Sequence, residues 1–392
     1  MRQSTPKRVR SIVLYGVAVP LIVVPALGVL GTFAHDVPYV GLAAAFVPWF
    51  LSWLVVAAVL GGTLTAVRCT RSRVAAVLTA VAILAAAGGV VATWRMVGAV
   101  ERAGADISLV ETFGLGSPRT AEPDDVATYT TFDGEPLQLS IFRPAASGPT
   151  PVLVFIHGGG WVAGDRDAHS ADLRWFADQG WLAVSIDYPL SSTDRHTWDV
   201  ASAQVGCALT WLSGNAARYG GDIGRLSLTG DSAGGNLAIN AAYQAATGAL
   251  PSSCPGRVPR VAAVSALYPA VDPAGMHASD DAALGDTARG MVESYTGGTP
   301  QQYPRRYARI SSLTHISRAA PPTLVILPEA DHLVPTAGTY RFTEAARSAG
   351  VDIELVTVPY ADHVFDARPG SIGQQAYRQL TANWLHQHGQ GP

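Results

Sequence analysis

TGDSAGGN, residues 229–236, closes the short apolar run RLSLTG (225–230) and opens the alanine-rich stretch NLAINAAYQAATG (236–248). The run predicts a buried strand, the alanine-rich stretch predicts a helix, and Gly230-Asp231-Ser232-Ala233-Gly234 at their junction fits G-x-S-x-G. A strand that turns directly into a helix crowds its own backbone, so glycines on either side of the serine keep free the space that Cβ atoms would fill. Ser232 then stands at a helix N-terminus, whose free N–H groups favour developing negative charge. Five common residues carry little weight alone, and a serine N-cap on an ordinary helix is the competing reading. The surroundings decide between them.

Upstream, PVLVFIH (151–157) reads as another buried strand and runs straight into HGGGW (157–161). Three consecutive glycines are costly in backbone entropy after a buried strand unless the backbone itself has a task. Here they turn N–H groups toward a substrate oxygen, so Gly158 and Gly159, with the N–H of Ala233, are the candidate oxyanion hole. Strand and helix patterns alternate on both sides. WLAVSIDY (181–188), VAAVSALYP (261–269), PTLVILPE (322–329) and IELVTVPY (353–360) read as strands. DVASAQVGCALTWLSGNAARY (199–219) and SIGQQAYRQLTANWLHQH (371–388) read as helices. ATYTTFDGEPLQLSIFRP (127–144) alternates around Asp133-Gly134 and predicts a hairpin. Continuous apolar strands separated by helices imply a mostly parallel sheet covered on both faces, and the antiparallel start narrows this to an α/β-hydrolase-like sheet. Residues 273–312 break the alternation and read as an inserted cap.

IHGGGWVAGDRD and LTGDSAGGNLA resemble the hormone-sensitive-lipase-like branch of the α/β-hydrolase superfamily, over roughly residues 125–390. The resemblance implies a carboxylesterase or related deacylase acting on small acyl esters, with no metal or organic cofactor. It also implies the chain order serine, acid, histidine. His363 in ADHVFD follows the last strand, where the base is expected, with His332 as its rival. Asp331 in PTLVILPEADHLVP follows the preceding strand and is the orienting carboxylate, with Glu329 as its rival; Asp362 reads as a loop cap. The sequence departs from the family in two places. Asp331-His332-Leu333-Val334 stands where many relatives have D-P-L-R, and Asp187-Tyr188 leads into PLSSTDRHTW. Both regions line the acyl or alcohol pocket, so the resemblance does not reach to specificity.

The first quarter of the chain is different in kind. Only 15% of the 392 residues are charged, against about 25% in ordinary soluble proteins, and the deficit lies before residue 100. Residues 11–33, 40–67 and 74–94 are each apolar enough to cross a bilayer at about 20 residues per crossing. KRVR before the first run would suit a signal peptide, but two further apolar runs and no convincing small-x-small cleavage site follow it. Arg2, Lys7, Arg8 and Arg10 precede the first run, and Arg68, Arg71 and Arg73 separate the second from the third. The positive-inside rule therefore predicts a cytoplasmic N-terminus and an extracytoplasmic domain after the third span. The expected organisation is an anchor over 1–100, a linker over 101–125 and a catalytic domain over 126–392, with the bilayer and an acyl ester as partners. The net charge of -3 and the lack of a basic stripe offer nothing to nucleic acid.

Two alternatives stay open. The same acyl-enzyme could pass its group to a sugar hydroxyl of the envelope, as an acyltransferase or deacylase does. A transporting or sensing bundle is the other, but the spans hold no buried acid, lysine or histidine to mark a pathway. Cys207 and Cys254 form an even pair in the outer domain and are either a disulfide or two buried thiols.

Overall fold

The computed structural model describes residues 5–43, 45–115, 120–145 and 148–392. Its contacts separate into two compact units. One holds the chain up to Arg102, the short segment beginning at Asp106, and Val358–Ala376; the other holds the sheet and the helices around it.

In the first unit, α1 (Thr5–Phe33), the short α2 (Val40–Ala43), α3 (Val47–Ala66) and α4 (Arg73–Arg102) follow one another. Three of these are long and apolar enough to cross a membrane. They leave much of their aliphatic surface uncovered: Leu27, Ile83 and Leu84 are 63%, 63% and 72% exposed. Lipid would satisfy that surface, and a helix keeps every backbone hydrogen bond within itself there. Small residues mark where the helices meet. Gly61 faces Leu21 and Ile22, Gly88 faces Val29, and Gly62 faces Ala82. Thr65 and Thr79 share a hydroxyl hydrogen bond of 2.7 Å across α3 and α4. The third span was expected to stop at Trp94, but α4 continues to Arg102. RMVGAVER (95–102) adds two further helical turns because Arg95, Met96, Ala99, Glu101 and Arg102 are good helix formers.

In the second unit, β1 (Asp125–Phe132) and β2 (Glu135–Phe142) form the expected hairpin, turned by Asp133 and Gly134 at φ +51° and +82°. The chain then runs β3 (Thr150–Ile156), α5 (Ser170–Asp178), β4 (Leu182–Ile186), α6 (Ala201–Asn215), β5 (Gly221–Asp231) and α7 (Ser232–Thr247). It continues with β6 (Ala263–Leu267), α8 (Pro273–His277), α9 (Gly285–Thr296), α10 (Pro304–Ile310), β7 (Thr323–Pro328) and α11 (Thr336–Ser348). β8 (Ile353–Val358) and α12 (Ile372–Gln387) complete it. The sheet has eight strands in the order β1-β2-β4-β3-β5-β6-β7-β8. β1/β2 and β2/β4 pair antiparallel, while β4, β3, β5, β6 and β7 pair parallel. All seven residues of β3 are buried, the pattern of a strand covered on both faces. Each large aliphatic side chain sunk there is worth about 1.5–3 kcal/mol.

Residues 273–312, where the sequence leads one to expect an inserted cap, hold α8, α9 and α10 between β6 and β7. The two ends of this stretch are pinned together where the Ser312 N–H donates to the Val271 carbonyl at 3.0 Å. Buried Asn236 and Asn240 on α7 both donate to the Ile310 carbonyl at 2.9 Å, holding α10 to the central helix. Cys207 on α6 and Cys254 are joined as a disulfide, their Cα atoms 4.8 Å apart.

Candidate active site

β3 and β5 pair in register with Ile156 opposite Gly230, so the glycine loop and the serine turn leave the sheet side by side. Ser232 sits in the left-handed region at φ +52°, a conformation that costs a non-glycine residue about 1–3 kcal/mol. Its neighbours impose it. A Cβ on Gly234 would lie 2.0 Å from the Ile156 carbonyl oxygen, and one on Gly230 would lie 2.6 Å from the same atom. Backbone cannot retreat as a side chain can, so the corner admits only glycine at both places. Ser232 is 5% exposed and Ala233 is fully buried. The Ala233 N–H belongs to the first turn of α7, whose amides have no acceptor within the helix.

The glycine loop is equally constrained. Gly159 and Gly160 have φ of +101° and +61°, and a Cβ on Gly159 would meet the Ala163 carbonyl oxygen at 2.1 Å. Trp161 is buried and stacks on Tyr295 of α9, ring centres 4.6 Å apart and planes 1° from parallel. Met291 of the same helix packs where a Gly160 side chain would go. The Gly158 donor expected for the oxyanion hole is committed elsewhere. The Gly158 N–H donates to Asp231 Oδ1 at 2.7 Å, so it is not offered to a substrate oxygen. The strand register brings the Asp231 carboxylate under the loop, and an ionised acceptor makes a strong, short bond. Among the described residues, the N–H groups of Gly159 and Gly160 donate to no protein acceptor.

Asp231 is the end of a buried polar chain that sequence reasoning missed. Its Oδ1 lies 4.0 Å from His169 Nε2, and His169 Nδ1 lies 2.9 Å from Asp172 Oδ2. Arg378 Nε on α12 donates to Asp172 Oδ1 at 2.7 Å. Burial alone would raise the Asp172 carboxyl, but the hydrogen bond from His169 and the charge of Arg378 outweigh it and hold it below its ordinary value. The spacing of His169 and Asp172 in DAHSADL was a signal, since residues three apart share a helix face.

His157 is also structural. Burial holds it below its usual value, Nδ1–H donates to the Gly158 carbonyl at 2.8 Å, and its ring stacks 4.4 Å from that of Tyr188. Burial pushes the Tyr188 phenol well above its ordinary value, so it stays a donor, to the His157 carbonyl at 3.0 Å.

Asp331 lies in the loop after β7, where Oδ1 accepts the N–H groups of Leu333 at 3.0 Å and Val334 at 2.8 Å. Those two bonds fix the carboxylate plane. Glu329 is exposed. Asp362 is buried and accepts the His363 N–H at 2.6 Å, as a loop cap does. His363 is 8% exposed and lies beyond β8 in Val358–Ala376, the segment that groups with the apolar helices. Of the other histidines, His315 bonds the Arg309 carbonyl and His388 pairs with Asp352. Ser232, Ala233 and the glycines thus stand at the C-terminal ends of β5 and β3, and Asp331 at that of β7.

The BD-FAE family matches residues 139–345. The chain is 30% identical over 226 residues to the esterase LipC of Mycobacterium tuberculosis, covering 57% of this chain and 55% of that one. It is 28% identical over 303 residues to an ethyl acetate hydrolase of Pseudomonas putida, covering 71% of this chain and 87% of that protein. The chain spans about half the length of the mycobacterial esterases it matches. Among solved structures it resembles a propionate-bound esterase from Thermogutta terrifontis, at a TM-score of 0.56 and 25% identity, covering 71% of this chain and 98% of that one.

Proposed function

The chain belongs to the BD-FAE family and folds as an α/β-hydrolase, and from that premise we propose that it is a serine ester hydrolase held in a membrane by three helices. Ser232 Oγ attacks the ester carbonyl carbon while His363 takes its proton, and Asp331 orients the imidazole and stabilises its charged form. The oxyanion of the tetrahedral intermediate lies against the N–H groups of Gly159, Gly160 and Ala233. His363 then gives its proton to the departing alcohol, leaving Ser232 acylated. Water deprotonated by His363 attacks the acyl-enzyme and releases the acid.

The observation that carries this reading is Ser232 itself: a strained, nearly buried serine fixed by glycines at the end of β5, beside a glycine loop with two uncommitted amides. Strain persists at such a position only where the surroundings over-determine it. A short acyl group is favoured by two similar proteins, one named for ethyl acetate and one holding propionate.

The catalytic domain lies outside the cytoplasmic membrane. Arginines flank the N-terminal end of α1 and fill the turn between α3 and α4, and three crossings leave the remainder on the opposite side. An impermeant fluorophosphonate applied to intact cells tests both claims together. Wild type is expected to label without lysis and Ser232→Ala is expected not to label at all. Equal labelling of Ser232→Ala would remove the nucleophile, and labelling only after lysis would reverse the topology.

A further inference from the structure

His363 stands between two residues that few backbones tolerate: Tyr360 at φ +61° and Val364 at φ +55°. For a β-branched valine this is a genuine outlier, maintained only by outside contacts. The apolar helices supply them. Trp49 Nε1–H donates to the Val364 carbonyl at 3.2 Å, the carbonyl that also takes the Ala367 N–H at 3.1 Å. Arg95 Nη1 donates to the Tyr360 hydroxyl at 2.6 Å, and Phe33 meets the Tyr360 ring edge-on at 5.1 Å. Four residues past Val364, Arg368 Nη1 donates to the Trp49 carbonyl at 2.6 Å and the Thr112 carbonyl at 2.7 Å, its guanidinium 4.8 Å above the Phe50 ring. Each end of the histidine turn is therefore gripped from α1, α3 or α4, and the grip falls on the two strained residues.

We propose that the apolar bundle is a positioning device for the proposed base, with Trp49, Arg95 and Arg368 holding the turn that presents His363. This rests on the assignment of His363 above. An anchor that only tethers would need no polar bond to the loop it carries. Here the spans supply donors to it at the end of the bundle that Phe33, Trp49 and Arg95 share, which is also the end where the third helix leads into the hydrolase domain. Their bonds described here go to backbone carbonyls and to the Tyr360 hydroxyl, so their effect passes through the geometry of the histidine.

The test compares full-length Trp49→Phe, Arg368→Gln and Arg368→Lys with wild type and His363→Ala, all reconstituted in nanodiscs and assayed on a water-soluble p-nitrophenyl ester. Trp49→Phe keeps the ring and removes one N–H. Misplacement of a catalytic group by a fraction of an ångström costs roughly tenfold in turnover. Trp49→Phe and Arg368→Gln are thus each expected to lower kcat about tenfold at unchanged KM, and to move the acid limb of the kcat–pH profile. Arg368→Lys, which keeps the charge, is expected to recover part of the loss. Thermal melting in the same nanodiscs separates this from simple unfolding, since Trp49→Phe is expected to melt like wild type. Wild-type kcat and an unmoved acid limb in both variants, with His363→Ala inactive, would overturn the positioning role and leave the triad standing. An active His363→Ala would overturn the assignment of the base and, with it, the positioning role.

Discussion

The serine corner and the histidine turn reach a similar degree of strain by opposite means. At the corner, the walls that force the turn around Ser232 are backbone and close in the fold: the Ile156 carbonyl lies where Gly230 and Gly234 would carry side chains. At the turn, Tyr360 and Val364 are fixed by side chains from helices some 300 positions away, Trp49 to Val364 being separated by 315 residues. A corner made of steric exclusion is rigid whatever surrounds the protein. A turn made of three donors and two rings depends on the state of the elements that present them. The first belongs to the fold, while the second is open to control.

The comparison breaks most sharply at Gly234. Gly234→Ala puts a methyl 2.0 Å from a carbonyl oxygen, and the expected cost exceeds about 4 kcal/mol, beyond what most single substitutions do. Little folded enzyme should be recovered, and expression followed by size-exclusion chromatography checks it. A corner that tolerates alanine here would not be the steric lock described.

Arg378→Gln comes next. Removing one partner of a buried ion pair costs about 3–5 kcal/mol, and denaturant unfolding monitored by tryptophan fluorescence measures it. The sign with pH is fixed by Asp172, whose folded pKa is depressed. Its stabilisation is complete above the unfolded carboxylate value near 4 and drains away as pH falls through the lower folded value. Wild type is therefore expected to hold its melting temperature further into acid than Arg378→Gln. Parallel acid profiles would exclude Arg378 as the cause.

The smallest effect expected is at Asp231. Asp231→Asn keeps an oxygen for the Gly158 N–H but loses the charge, and a charged acceptor outdoes a neutral one by about 1 kcal/mol. Loosening of the glycine loop should lower kcat about fivefold with Ser232 labelling still complete at long times. An unchanged kcat would show that the steric walls alone seat the loop. The same assay ranks this against Trp49→Phe, where the loss is expected to be larger because side chains from distant helices hold that turn.

How much of this the sequence disclosed follows from the range of each interaction. The corner is legible because its reasons are local: an apolar strand, glycines two residues either side of a serine, a helix. The three long apolar helices are legible because apolar length is a property of a segment alone. The hairpin announces itself in Asp133-Gly134. The fate of the Gly158 amide was not legible, since it depends on which residue of β5 faces Ile156, and register is a tertiary property. Two of the three helices within 273–312 are 5 and 7 residues long, too short for a period to stand out. The grouping of Val358–Ala376 with the apolar helices, instead of a catalytic domain continuous over 126–392, rests on bonds between segments hundreds of residues apart. Trp49 looked like one more apolar residue in a span; nothing near it in sequence tells that its N–H has a distant use.

The bond between Cys207 and Cys254 closes a loop of 47 residues and removes up to about 4 kcal/mol of chain freedom from the unfolded domain. Cys69, by contrast, lies in the arginine-rich turn between α3 and α4 and stays a thiol. On the topology proposed above, the sheet domain matures in an oxidising compartment and the arginine turn does not, which matches one sealed pair and one free thiol. On that topology, the two sulfur states record which face of the bilayer each part has seen. Alkylation before and after reduction, read by mass, retrieves that record from material already purified, long after the membrane itself has been dissolved.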